Sequence, residues 1–267
     1  MFQPLYVAAT GLDAFEKEMI SITDNLANSN TVGFKKGRTE FESLYYIERT
    51  FQDELNEQIM MQDGVGRNMP IEFGTGVKIA GTPKDFTQGT IEITNNPLDL
   101  AIQGEGFFQV QLADGTVAYS RAGNFHMDNE GNLVDPNGHI VEPEIVIPDG
   151  TTAININRDG TIWVSVNNEV TSTEIGQITL ARFTNPVGLE SIGQNLFKAT
   201  AASGDPMIGY PIDDGYGAVA QYSVESSNVD IISEMMRMVM VQRVFDTVTK
   251  AVQSYEAMLA ALQDMKS

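Results

Sequence analysis

The chain has 267 residues and a mass of 29.2 kDa, enough for one large domain or two modest ones. Sixteen Lys and Arg against 36 Asp and Glu leave a formal charge of -20, which repels phosphate backbones and anionic lipid, so no nucleic acid is expected as a partner; apolar runs of a few residues are too short to insert in a membrane. Two histidines and no cysteine remove thiolate nucleophiles, Cys zinc sites and disulfides.

The first element read from the N-terminus is a helix. Apolar or small residues fall at Leu5, Ala8, Leu12, Phe15, Met19, Ile22 and Leu26, spaced alternately by three and four, which is a heptad seam about 35–40 Å long. The same stretch lacks the basic region and apolar core of a cleaved secretory signal, so export by another route is expected if the protein leaves the cytosol. Where the seam stops, the string from Asp24 to Lys35 packs in Asn25, Asn28, Ser29, Asn30, Thr31 and Gly33. It reads as a helix C-terminus in which Asn28 or Asn30 turns left-handed, Gly33 permits a turn, and Lys35 and Lys36 favour the negative end of the helix dipole. The density of amide side chains also suits a surface that hydrogen-bonds to a neighbouring subunit.

Residues 39–70 fit no periodicity and read as a connecting segment, extended or loosely ordered. From about 71 to 220 the period changes to two. Phe108, Val110 and Leu112 alternate with glutamines, Ile154 and Ile156 with asparagines, and Ile162, Val164 and Val166 with Trp163 and Ser165. Asp114-Gly115, Asn137-Gly138, Asp149-Gly150 and Asp159-Gly160 supply hairpin turns, so this part is expected to be antiparallel β. The C-terminal stretch returns to the seven-residue repeat: Ile231, Met238, Val241, Phe245, Val248, Val252, Tyr255, Leu259 and Leu262, with Glu234 as the polar member, predict a helix about 50 Å long. Ile232, Met235, Met236, Val239 and Met240 form a second stripe beside the seam. Such helices could pack on their own globular body, but two stripes favour pairing with each other and with copies from neighbouring subunits.

Chemistry is sparse. There is no phosphate-binding GxxxxGK[ST] loop, HExxH zinc helix or GxSxG nucleophile elbow. Gly104-Glu105-Gly106 lacks the third glycine of a dinucleotide fingerprint and sits in a strand context. His126 and His139 lie near Asp128, Glu130 and Asp135, yet short polar residues are expected in hairpin turns, and neither a metal nor a cofactor is expected. A glycan-binding or hydrolytic β domain is the rival from another class, without a motif to carry it.

Three groups of residues bear a resemblance. Asn25-Leu26-Ala27-Asn28 through Thr31-Val32-Gly33-Phe34-Lys35, then Gly104 to Val110 with Tyr119 to Phe125, then Ser227-Asn228-Val229-Asp230 with Val241-Gln242-Arg243, resemble in order the signatures of the bacterial flagellar axial proteins. The likeness is strongest to the basal-body rod proteins of the distal type, because the segment from about Leu44 to Gly76 is similar to the insertion that separates distal rod from hook, and Gly188 to Phe197 to a late β-domain motif. Proximal rod and short hook-type subunits share the terminal signatures. The resemblance implies a structural role without catalysis: a helical homopolymer lying in the periplasmic space, exported by the flagellar type III apparatus, with proximal rod, hook-type and ring proteins as partners.

The fold expected is therefore α+β, with long terminal helices forming a coiled-coil-like assembly domain (1–38 plus 221–267), a connecting segment (39–76) and a mainly antiparallel outer β domain (77–220). The candidate subunit-interface residues are Leu5, Leu12, Phe15, Met19, Ile22 and Leu26 with Asn25, Asn28, Thr31, Gly33 and Phe34 at the N-terminal end, and Asn228, Val241, Gln242, Phe245, Val248, Val252, Tyr255, Leu259 and Leu262 at the other. Charge divides along the same lines: residues 1–38 and 229–267 together carry -1, and residues 39–228 carry -19. Near-neutral ends suit crowded packing, and an acidic outer domain stays solvated.

Overall fold

The computed structural model describes residues 3–49, 71–166, 172–213 and 215–265. They separate into two compact units, one of Met1–Thr23, Arg38–Thr82 and Ile232–Ser267, the other of Asp24–Gly37 and Pro83–Ile231. The class is α+β, with a helix at each end of the chain and antiparallel β structure in the middle.

The first unit holds most of α1 (Gln3–Ala27) and of α2 (Ile231–Asp264), with lengths that match the two heptad runs. Between them lie β1 (Glu40–Ser43), β2 (Tyr46–Arg49), β3 (Ile71–Gly74) and β4 (Val77–Gly81), paired as β1–β4 and β2–β3. Residues 40–43 and 46–49 are thus strands, where periodicity alone showed nothing; residues 50–70 of the connecting segment lie outside the described residues. Position 77, where the outer domain was expected to begin, falls within a strand paired to β1. Phe15 of α1 meets Phe41 at 6.4 Å between ring centroids, and the Thr10 hydroxyl sits where a Cβ on Gly76 would stand.

Of the expected seam on α1, Ile22 is buried and Leu5, Leu12, Phe15, Met19 and Leu26 are half-buried, while Ala14, Glu18 and Asn25, one step round, are buried as well. Among these, the Glu18 carboxylate accepts from Arg237 Nε of α2 at 3.0 Å, with Glu18 buried and Arg237 partly exposed.

In the second unit, and among the described residues, seven antiparallel strands form the largest sheet. In spatial order they are β16 (Glu190–Gly193), β17 (Leu196–Lys198), β8 (Val117–Ser120), β7 (Phe108–Gln111), β11 (Ile140–Glu142), β10 (Leu133–Val134) and β9 (His126–Met127). A three-stranded sheet joins β12 (Thr151–Ile156), β13 (Thr161–Val166) and β14 (Thr173–Gln177). Two-stranded pairs join β5 (Ile91–Ile93) with β20 (Ser223–Glu225), β6 (Leu100–Gln103) with β19 (Ala218–Gln221), and β15 (Leu180–Arg182) with β18 (Met207–Gly209). The four Asp/Asn-Gly turns are present, with glycine φ values of 80, 87, 83 and 80°.

The inward positions of the alternating stretches make the main core: Phe108, Val110, Ile162 and Val164 join Leu100, Ile102, Phe125, Leu133, Ile178 and Leu180, all buried. Full burial of each such side chain contributes about 1.5–3 kcal/mol. Alternation did not place Gln109, which is also buried and donates to Thr179 Oγ1 at 2.9 Å. A second cluster stacks Phe107, Tyr119, Phe183 and Phe197 edge to face, the closest pair being Tyr119 and Phe183 at 4.8 Å.

Candidate functional site

The strings that stood out in the sequence converge on one face of the second unit. The segment after α1 turns back on itself through Asn25, whose Nδ2 donates to the Gly37 carbonyl at 2.9 Å while its Oδ1 accepts from Gly37 N–H at 2.8 Å. Asn28 and Thr31 close the helix end locally: Asn28 Nδ2 donates to the Asp24 carbonyl at 2.9 Å, and the Thr31 hydroxyl donates to Asn28 Oδ1 at 3.2 Å. The left-handed residue of this end is Gly33 (φ 70°); Asn28 and Asn30 stay at negative φ. A Cβ at Gly33 would stand 2.4 Å from the Ala122 backbone nitrogen, so only glycine lets the strip lie so close to the 119–125 string. Gly33 N–H donates to the Glu225 carbonyl at 2.7 Å, and Asn195 Nδ2 reaches the Val32 carbonyl at 3.0 Å.

At the centre lies a buried charge cluster. Lys35 Nζ donates to Glu225 Oε1 at 2.5 Å and to the Thr87 carbonyl at 2.7 Å, with both charged side chains wholly buried. The same Glu225 oxygen accepts from Gly89 N–H at 2.8 Å, and its second oxygen lies 3.5 Å from Arg121 Nη1. Arg121 also donates to the Gly104 carbonyl at 2.9 Å and lies over the Phe107 ring. Burial pulls Lys35 below its ordinary value, against the attraction of Glu225, and does the same to Arg121. Asn228 finishes the knot: its Oδ1 accepts from Lys36 N–H at 2.8 Å and its Nδ2 donates to the Asp85 carbonyl at 2.8 Å.

Such an arrangement holds parts of the unit together. One carboxylate, two cations and a ring of saturated backbone groups tie the strip leaving α1 to the strand that leads into α2. His139, considered above as a ligand, has Nδ1 at 3.0 Å from Asp135 Oδ2 inside a hairpin, a local pair.

The candidate interface residues divide by exposure in the single chain. Ile22, Asn25, Gly33, Phe34 and Val241 are buried, and Asn25, Gly33 and Asn228 have intrachain bonds that their residue types alone did not assign. Val248, Val252, Tyr255 and Leu259 are half-buried, and Gln242, Phe245 and Leu262 are exposed. The second stripe is open: Met235, Met236, Val239 and Met240 are each about half exposed or more and, with Arg243, Val244, Thr247 and Val248, line a groove of about 580 Å³. Sequence reasoning did not single out Glu225 or Arg121 and read Lys35 as a helix-dipole cation; a lysine directly after Gly33-Phe34 was the one available sign.

Comparisons with known proteins agree along the chain. A family model described as flagella basal body rod protein matches residues 5–35, one described as flagellar hook protein FlgE/F/G D1 domain matches residues 101–164, and one described as flagellar basal body rod FlgEFG protein C-terminal matches residues 220–265. The chain is 38% identical over 271 residues to the flagellar basal-body rod protein FlgG of Buchnera aphidicola, covering 99% of this chain and 100% of that one. It is 39% identical over 267 residues to FlgG of Caulobacter vibrioides, with the same coverage of 99% and 100%. Similarity to the flagellar hook protein FlgE of Treponema pallidum is 36% over 136 residues, covering 51% of this chain and 28% of that one.

Proposed function

The chain belongs to the flagellar basal-body rod protein family, and from that premise we propose how its architecture builds a rod. It is a structural subunit of the flagellar basal body, of the FlgG distal-rod type, and not an enzyme. In our reading the subunits assemble with copies of themselves and with other axial proteins into a rigid helical tube that transmits torque. The terminal helices (1–38 and 221–267) form its coiled inner wall, the segment 39–76 couples neighbours, and the β domain (77–220) faces outward.

The observation that carries this reading is the exposed apolar stripe of α2. A solvated helix ordinarily turns one apolar stripe to its own core and leaves the other side polar. Here Met236 and Met240 are 62% and 66% exposed, beside Phe245 and Leu262 of the seam. Covering such a face in neighbouring subunits contributes about 25 cal/mol per Å² of apolar surface removed from water. Heterologous contacts of that kind, which do not close on themselves, generate filaments. The low net charge of the chain ends supports their crowding at small radius.

The remaining partners follow from the same reading: proximal rod and hook-type proteins at the tube ends, ring proteins around it in the periplasmic space, and the flagellar export apparatus as the route without a cleaved signal. The test is electron microscopy of purified protein under polymerising conditions beside Phe245→Asp and Val252→Asp. Straight narrow tubes from the parent and none from the variants are expected; tubes from both variants refute the coiled inner wall.

A further inference from the structure

Strand β18 presents an open edge. Its neighbour β15 has a second partner on its other side, where Ala181 and Phe107 exchange both backbone hydrogen bonds, at 2.9 and 2.8 Å. Backbone groups alternate in direction along a strand, so Leu180 and Arg182 turn theirs toward β18, and the bonded pairs there are Leu180 with Gly209 and Arg182 with Met207. Ile208, opposite Ala181, therefore points its N–H and C=O away from β15, with no backbone partner for them among the described residues.

Natural sheets blunt such edges with lysine, bulges or short length. Here the strand is short, three residues, and Pro206 and Pro211 bound the strip, but no cation lies within it and its exposed side chains are apolar. Met207, Ile208, Tyr210 and Ile212 are instead exposed, Ile208 by 59%. Ile208 shares a face with Ala181, which packs in the aromatic cluster of Phe107, Phe183 and Phe197, so it extends that apolar surface to the edge. Ile212 is held at φ 73°, a conformation β-branched residues avoid, with its side chain 58% exposed. Beside it Met207 and Arg182 border a cavity of about 390 Å³ lined by Phe86, Phe107 and Phe183, where Arg182 is paired with Glu105 at 2.7 Å.

We propose that this edge is a docking site for an extended, cationic segment of another protein, which adds as a strand along Met207–Tyr210 and exchanges hydrogen bonds with Ile208. Charge selects the occupant. Exposed Asp205 and Asp213 flank the strip, in a stretch of chain, residues 39–228, that carries -19. A second copy offering its own β18 would set these carboxylates against their duplicates. A segment with apolar residues at alternate positions between lysines or arginines answers both the side chains and the charge.

The test uses the full-length chain and two blocked, fluorescent octapeptides of alternating Val and Thr, one flanked by Lys and one by Glu, followed by anisotropy. The Lys-flanked peptide is expected to bind at least about tenfold more tightly, with the preference inverted by Asp205→Lys/Asp213→Lys. Ile208→Pro removes an N–H that makes no bond within its own sheet, and loss of the hydrogen bond it offers is expected to weaken binding about tenfold. An N-methyl group on the peptide's central residue should do the same, which decides the matter if Ile208→Pro does not fold. Equal affinity for the two peptides, indifference to N-methylation, or self-association through β18 in place of peptide binding overturns the proposal.

Discussion

Replacing Glu225 by glutamine isolates what the buried charge cluster contributes. Glu225 and Lys35 are wholly buried, and the glutamate is the common counterion of Lys35 and Arg121. Glutamine preserves the shape and can still accept from Gly89 N–H, but it leaves two cations facing each other away from water. Breaking a buried pair in this way costs about 3–5 kcal/mol, most of it the uncompensated charge. Lys35→Met is expected to cost less, about 1–3 kcal/mol, because Glu225 keeps Arg121 and Gly89 while one bond to the Thr87 carbonyl is lost. Trp163, the one tryptophan, lies on β13 and reports unfolding of this unit. With a urea slope of about 2 kcal/mol per M, Glu225→Gln should lower the fluorescence midpoint by about 1.5–2.5 M. The double variant Lys35→Met/Glu225→Gln should cost less than the two single losses together, since it removes a cation along with the anion. A loss below about 1 kcal/mol for Glu225→Gln, or Lys35→Met costing as much, would refute the shared-counterion account.

Three further outcomes are expected. Gly33→Ala combines a left-handed φ with a Cβ 2.4 Å from Ala122 N, so it should cost at least about 1–2 kcal/mol in the same urea assay, more than alanine at the open Gly138 turn. Asn25→Ala strands both backbone groups of Gly37 in a buried place and should cost about 1–3 kcal/mol, read as a lowered thermal midpoint and faster exchange of the Gly37 amide. Acid should unfold the β unit below the ordinary carboxylate range. Burial pushes Asp135 and Asp85 up, but hydrogen bonds, to Asp135 from His139 and Asn137 and to Asp85 from Thr87, outweigh it and hold both below 3.8. The unfolded chain then takes up these protons first, so their stabilisation is complete above 3.8 and lost as pH falls through the lower folded values. Thermal midpoints measured from pH 6 to 2 should drop in that window, and Asp135→Asn should flatten the drop.

The two helices and many of the strands were legible because burial imposes a period, 3.5 to 3.6 in a helix and two in a strand, that a linear string displays. Ile162 and Val164 faced the core as alternation required, and the Asp/Asn-Gly pairs turned the chain where expected. Residues 40–49 stayed silent because a ribbon exposed along most of β1 needs no apolar alternation. The amide-rich string was recognised as unusual, but its use was not visible. Asn25 bonds to a backbone group twelve residues away, and an asparagine reaching Gly37 has the same letter as one reaching a neighbouring subunit.

What the sequence determined by itself was the order of elements, the heptad ends, the neutral-to-acidic division of charge and the absence of catalytic motifs. All of these are local or additive properties, summed along the chain. Which residues are joined across it belonged to the tertiary structure. Lys35 and Glu225 are 190 positions apart, and nothing in either neighbourhood names the other. Glu18 of α1 likewise meets Arg237 of α2, 219 positions away. A buried charge is stable only beside its partner, and the partner's position exists only once the chain has folded.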